Sequence, residues 1–289
     1  MILGAIEIGL RSTRFTVTEV GADESHLRLS RSHGLTAGPE NLERLGALLM
    51  AEVEVAREMG AERIDVVAAP ELRGSRLIRL VDRFADAVGV APVRVPTRRD
   101  SSAAAFLAVT RPLADRLDGP VGIAHVGETA IGIAVGAPGE LPGWIGSRPV
   151  GASTMTRKAR FANPPRPAQI EAAIAGASRG ISSLLPPSCE RLLVSSPLAE
   201  VVGRLCGLSI GPAEARRGLD AILGQTSEDT SAWFGVEPAL ARHLPGMLVG
   251  HAALAEGLGM SVEPVVCDHA AGRHWLGEAR LGIAGGEPR

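Results

Sequence analysis

The chain has 289 residues, a formal net charge of −2 and 45% hydrophobic against 21% charged residues. That apolar share excludes disorder as the general state, and the near-neutral balance excludes a protein whose main business is coating nucleic acid. The length suits two domains or one large one and needs neither disulfide nor metal to complete a core.

The opening third reads as three strands, a helix, and then alternating elements. Ile2–Ile8 is an apolar run broken by Gly9, Thr13–Val20 alternates, and residues 26–33 alternate again through Leu27 and Leu29. A long helix follows from about Pro39 to Met59, with Leu42, Leu45, Leu49, Val53 and Ala56 as its apolar stripe and Gly60 as its stop. Next come a buried-type strand at 64–69, a helix near 76–88, a short strand at 93–96 and a helix from about Asp100 to Leu113. Strands alternating with helices in this way predict an α/β sheet with parallel members.

The turn Asp118-Gly119-Pro120 opens a second half. Strands are expected at Val121–Val126, 130–135, Trp144–Arg148, Arg191–Ser195 and 262–267. Helices are expected near 153–161, 167–184, 196–205, 212–223, 238–258 and 270–280, and the tail 282–289 has the composition of a frayed end.

The second half repeats the first. Ile6-Glu7-Ile8-Gly9 returns as Ala124-His125-Val126-Gly127, each a strand with a polar residue two before a glycine, each followed by a hairpin and a second amphipathic strand. This predicts a duplicated α/β fold divided into 1–118 and 119–289. Each lobe is expected to carry a mixed five-stranded sheet whose first three strands form an antiparallel meander.

Cys189, Cys206 and Cys267 are far apart with no C-x-x-C spacing, so neither a zinc knuckle nor a redox pair is indicated. The N-terminal apolar run breaks at Glu7, too early for a signal peptide, and no stretch approaches the ~20 apolar residues of a membrane span. The expected setting is cytoplasmic, with no membrane contact and no sequence-specific nucleic acid. G-x-S-x-G, Walker A and G-x-G-x-x-G are absent, which disfavours serine hydrolase, P-loop NTPase and Rossmann dehydrogenase readings. His243, His251, His269 and His274 show no H-E-x-x-H spacing and receive no metal role.

An ordered series of short matches resembles the exopolyphosphatase and guanosine pentaphosphate phosphatase (Ppx/GppA) family of the actin-like ATPase superfamily. Ala5-Ile6-Glu7-Ile8-Gly9-Leu10-Arg11-Ser12 resembles its A-I-D-I-G-S-N-S, and residues 56–63 its A-R-E-x-G-A-E-R. Ala68-Ala69-Pro70-Glu71-Leu72-Arg73, Pro149-Val150-Gly151-Ala152-Ser153 and Val265-Val266-Cys267-Asp268 resemble A-T-x-A-x-R, P-L-G-S and V-S-D. The resemblance implies a two-lobed ribonuclease H-like fold with an interlobe cleft, a phosphoanhydride substrate such as polyphosphate, a Mg²⁺ cofactor and a homodimer. The apolar helix at 238–258 is the expected dimer surface.

The departures are chemical. Where the family has D-I-G-G-G-S, this chain has His125-Val126-Gly127-Glu128-Thr129-Ala130; the later glutamate is Gly132, the catalytic glutamate falls on Ser101, and G-G-T is replaced around Ser195-Ser196. Mg²⁺ needs oxygen donors at strict geometry, His125 is a poor ligand for it, and Ser101 is no base near neutral pH. These changes predict a phosphate-binding or regulatory module with hydrolysis lost or very weak. The alternative is a working phosphatase with a rearranged acid set, Glu7, Asp100 and Glu128.

On either reading Gly9, Arg11, Ser12, Arg73, Gly127 and Thr129 are the candidate phosphate contacts, with Glu7 and Glu128 as the metal donors. The plain alternatives are a strand-end carboxylate for Glu7, an ordinary hairpin at Gly9 and Ser12, an N-cap for Asp100 and a solvated helix-start charge for Arg73. The basic run Arg157-Lys158-Ala159-Arg160, with Arg98-Arg99, is either a polyanion track or a solvated face.

Overall fold

A computed structural model describes residues 1–10, 13–21, 25–33 and 42–265. Arg11, Ser12, Pro39, Cys267, Asp268, His269, His274 and the expected last helix lie outside the described residues. The chain forms two compact units, the first spanning Met1–Ser101 and the second beginning at Ser102.

In the first unit β1 (Ile2–Ile8), β2 (Thr13–Val20) and β3 (Ser25–His33) form an antiparallel meander, and β4 (Arg63–Ala68) joins β1 in parallel. The sheet order is β3-β2-β1-β4. Helices α1 (Leu42–Glu58) and α2 (Arg76–Ala87) cover one face. There Ile6, Ile8, Phe15, Val17 and Val66 pack against Leu45, Leu49, Val53 and Val81. The alternate positions Leu3, Ala5 and Val67 face the other way and form a small separate cluster.

This sheet has four strands among the described residues, not five. The expected strand at 93–96 is reduced to a bridge between Val67 and Arg94. Pro92 and Pro96 flank it, and a proline cannot donate to a ladder, so pairing stops after one residue.

The second unit repeats the plan. β5 (Val121–Val126), β6 (Ile131–Gly136) and β7 (Trp144–Arg148) are an antiparallel meander, β8 (Arg191–Ser195) lies parallel to β5, and a short β9 (Glu263–Pro264) completes the order β7-β6-β5-β8-β9. Both meanders are therefore as expected, and the equivalence extends to register. Glu7 pairs with Arg14 and Val67; His125, one residue from the end of β5, pairs with Gly132 and Ser195.

One face of this sheet packs on α4 (Ala152–Lys158), α5 (Pro167–Ser182), α6 (Ala199–Cys206) and α7 (Pro212–Ile222) through a single large core. The remaining helices are α8 (Ser227–Phe234), α9 (Pro238–Ala241) and α10 (Leu244–Leu258). The continuous helix expected over 238–258 is thus two helices. Pro245 has no N–H to give to Ala241 and disfavours helical backbone just before it, so the chain breaks around His243. Nearly every residue of α10 from Leu244 to Ala255 is buried in its own unit, so this helix is not the exposed dimer surface the sequence suggested.

The other face of the sheet, with Ile123, His125, Gly132 and Ser195, meets α3 (Arg98–Thr110), whose residues from Ala103 onward are buried. A 3₁₀ stretch, Arg111–Arg116, continues it, and Thr110 accepts a hydrogen bond from Gly139 N at 3.1 Å. Cys189 and Cys206 are free, and burial pushes the Cys206 thiol up to about 11, which keeps it an unreactive thiol. No helix among the described residues is long and apolar enough to cross a membrane.

Candidate functional site

The two equivalent strand ends carry different chemistry. At the first, Glu7 is half-buried, and its Oε2 is buried without a hydrogen-bond partner among the described residues. Asp65, on the same face two residues back along β4, is gripped by Arg63 through both carboxylate oxygens, at 2.9 and 3.0 Å. Arg73, a candidate phosphate contact, directs its guanidinium to the Val95 carbonyl instead.

Asp100 is in the first turn of α3. Its Oδ2 accepts from Thr97 N at 3.1 Å and Thr97 Oγ1 at 2.6 Å, while Thr97 Oγ1 accepts from Asp100 N at 3.1 Å. This is a capping box with Thr97 as the cap, so Asp100 is the reciprocal partner and not the N-cap itself.

At the second strand end, His125 Nδ1 lies 3.0 Å from Ser195 Oγ, and Ser195 is buried. On the opposite side of His125 is Gly132. A Cβ added there would lie 2.6 Å from Ser102 Oγ, so α3 approaches the sheet closely here and a side chain would have to turn that hydroxyl aside. Two further hydroxyl oxygens in this unit, Ser153 Oγ and Ser196 Oγ, are buried without partners among the described residues.

The loop 127–130 is closed by backbone bonds. Gly127 N donates to Ala130 O, and its carbonyls take the first amides of α4: Ala152 N to Gly127 O at 2.9 Å, Ser153 N and Thr154 N to Glu128 O at 2.8 and 3.3 Å. Thr154 Oγ1 donates to Thr129 O at 3.0 Å. Gly151 makes this contact possible, since a Cβ there would lie 2.3 Å from Ala130 N. The amide of Gly127 and the first amides of α4 are thereby spent inside the protein rather than on an outside anion.

A hard divalent cation takes several oxygen donors. Among the described residues no group of three or more His, Cys, Asp or Glu is placed to hold a metal ion. Glu7 supplies one orphaned carboxylate oxygen in the first unit and Asp100 belongs to its cap; at the equivalent point of the second unit stand an imidazole and hydroxyls, with Glu128, whose Oε2 is buried, in the loop that follows. Within either unit the described donors do not assemble the oxygen-rich set that the Mg²⁺ implied by the resemblance takes. The His125–Ser195 bond and the approach of Ser102 to Gly132 were not legible in the sequence; both depend on strand register and helix placement.

No protein-family model matches the chain. An uncharacterised protein of Streptomyces coelicolor is 26% identical over 286 residues, covering 88% of this chain and 83% of that one. Among solved structures, a Ppx/GppA family member from Aquifex aeolicus superposes with a TM-score of 0.80 at 18% identity, covering 98% of each chain. An exopolyphosphatase from Cytophaga hutchinsonii gives 0.70 at 14% identity, over 89% of this chain and 96% of that one. The fold is therefore that of the Ppx/GppA exopolyphosphatases, a duplicated mixed α/β architecture.

Proposed function

We propose that this protein is a binding or regulatory module on an exopolyphosphatase fold, holding a phosphate-rich ligand with hydrolysis lost or very weak. The observation that carries this is the strand end at His125. Phosphoryl transfer depends on positioning and charge neutralisation, chiefly by metal and cationic donors. Here the imidazole is tied to Ser195 at 3.0 Å and Ser102 occupies the space over Gly132. Losing one positioned general base alone costs about 10²–10⁴ in rate. Gly9, Arg11, Ser12 and Thr129 are the proposed phosphate contacts, in two lobes, 1–118 and 119–289, of a cytoplasmic homodimer; Arg73 and Gly127 drop out because their donors are already engaged by Val95 O and Ala130 O. Light scattering at tens of micromolar tests the dimer.

The second reading, a phosphatase using Glu7, Asp100 and Glu128, is favoured by the buried carboxylate oxygens of two of its members, Glu7 Oε2 and Glu128 Oε2. Phosphate release from polyphosphate and guanosine pentaphosphate with Mg²⁺ or Mn²⁺ separates the two. We expect no release above that of a Glu7→Gln control. Turnover at an ordinary enzymatic rate, abolished by Glu7→Gln, establishes the second reading and removes the first.

A further inference from the structure

A site of a different kind lies in the second unit, at the junction of α4 and α5. The loop 162–167 on one side, with Leu223 and Gly224 on the other, lines an open concavity of 570 Å³. Four of those eight lining residues are prolines or leucine, so its walls are largely apolar and rigid.

The loop is fastened from both sides. Gln169 Oε1 accepts from Ala162 N at 3.2 Å and Arg166 N at 2.9 Å, while its Nε2 donates to Arg160 O. Asn163 Oδ1 accepts from Ser227 N at 2.8 Å, and its Nδ2 donates to Ser227 Oγ at 3.0 Å and Glu228 Oε2 at 3.2 Å. Arg160 is held at φ +51, a left-handed conformation that costs a non-glycine residue energy and survives only where its surroundings impose it.

The segment that leads into and lines this concavity carries uncompensated charge, with Arg166 in the lining and Arg157, Lys158 and Arg160 just before it in the chain. Arg157, Lys158, Arg160 and Arg166 are exposed, and residues 157–169 contain no Asp or Glu. None of the four has a carboxylate within ion-pair distance among the described residues. Elsewhere in the same unit Arg191, Arg204, Arg216 and Arg217 each have one. The nearest acid, Glu228, has its carboxyl held below the usual range, chiefly by a backbone hydrogen bond and then by Asn163, and it is spent on fixing the loop.

We propose that this concavity is a docking site for an acidic peptide segment of a partner protein, with one apolar or aromatic side chain seated against the prolines and Leu223. Flanking carboxylates would pair with Arg157, Lys158, Arg160 and Arg166. Arginine clusters recognise acidic motifs by such pairing, and a preformed loop avoids the ordering cost of binding. The volume is in the range of ordinary ligand pockets and accommodates a side chain rather than a folded domain. Inorganic polyphosphate shares the charge but has no group for the apolar wall, which favours the peptide.

The test uses the full chain and a fluorescent probe peptide of glutamates flanking one phenylalanine, read by anisotropy. The expected result is salt-sensitive binding, weakened about tenfold or more by the surface reversal Arg157→Glu/Arg166→Glu, with unchanged thermal unfolding. Replacing the probe's phenylalanine by serine should also weaken binding by about tenfold. Absence of binding, or binding indifferent to the double reversal, overturns the site. Equal binding of the serine probe, or displacement by polyphosphate as effective as by the peptide, overturns the peptide assignment in favour of a bare polyanion surface.

Discussion

Acid should unfold this protein partly through one residue, His251. Its side chain is wholly buried on α10; Nδ1 lies 2.8 Å from Met247 O, and Nε2 has no partner among the described residues. Burial lowers its pKa from 6.5 to about 4. The depressed value fixes the sign. Above pH 6.5 the group is neutral folded and unfolded, and its contribution to stability is complete. As pH falls from 6.5 toward 4 only the unfolded chain takes up the proton, and stability is lost at about 1.4 kcal/mol per pH unit. Over that window the loss comes to about 3 kcal/mol, a large part of a typical domain's margin. His251→Leu removes the titration. Met247 O keeps its helical partner, so the variant should lie within about 1 kcal/mol of wild type at pH 7.5. Urea unfolding of both proteins at pH 7.5, 6.0, 5.0 and 4.5 isolates the effect, because carboxylate contributions common to both cancel in the difference. The variant should gain about 2–3 kcal/mol relative to wild type between pH 7.5 and 4.5. Parallel stability curves would refute the reasoning.

Gly132→Ala should destabilise by up to about 1 kcal/mol, since its Cβ meets Ser102 Oγ at 2.6 Å and forces that hydroxyl to another rotamer. Adding Ser102→Ala should recover most of that loss in a double-mutant cycle; additive effects would show that α3 does not rest there. In the first unit, Glu52 of α1 is almost wholly buried and joins His33 Nε2 at 2.7 Å to Arg31 at 3.3 Å, both on β3. Glu52→Gln should cost about 1–3 kcal/mol in chemical denaturation. Arg31→Ala, whose side chain is nearly half exposed, should cost under about 1 kcal/mol, and the reverse order would falsify this ranking.

The elements legible in the sequence were those whose burial dictates a pattern. Ile2–Ile8 and Val121–Val126 read as buried strands because both are flanked by paired neighbours, and α1 showed its stripe because one face alone meets the sheet. The helix α8 was missed. It is short and has little apolar stripe, and its signal was the capping box Thr226-Ser227-Glu228-Asp229, where Asp229 Oδ2 accepts from Thr226 N at 3.0 Å. The strand expected at 262–267 shrinks to Glu263–Pro264 among the described residues, for Pro264 cannot donate to β8.

The candidate site was legible as a list of residues and illegible as a set of contacts. His125 and Ser195 are 70 residues apart, and only the parallel register of β5 and β8 makes them neighbours. Glu7 occupies the matching position in the first unit, between Arg14 and Val67. The duplicated backbone therefore constrains where a polar residue projects from the strand end, but not which one. Ile6 and Val126, one step from these positions, are fully buried and must fill fixed volumes. Glu7 and His125 are half-buried, and packing constrains their side chains less. A carboxylate with a spare oxygen persists on one copy, while the other holds an imidazole locked to a serine. That asymmetry arises at positions the packing leaves open, so the shared fold does not by itself dictate the chemistry of the strand ends.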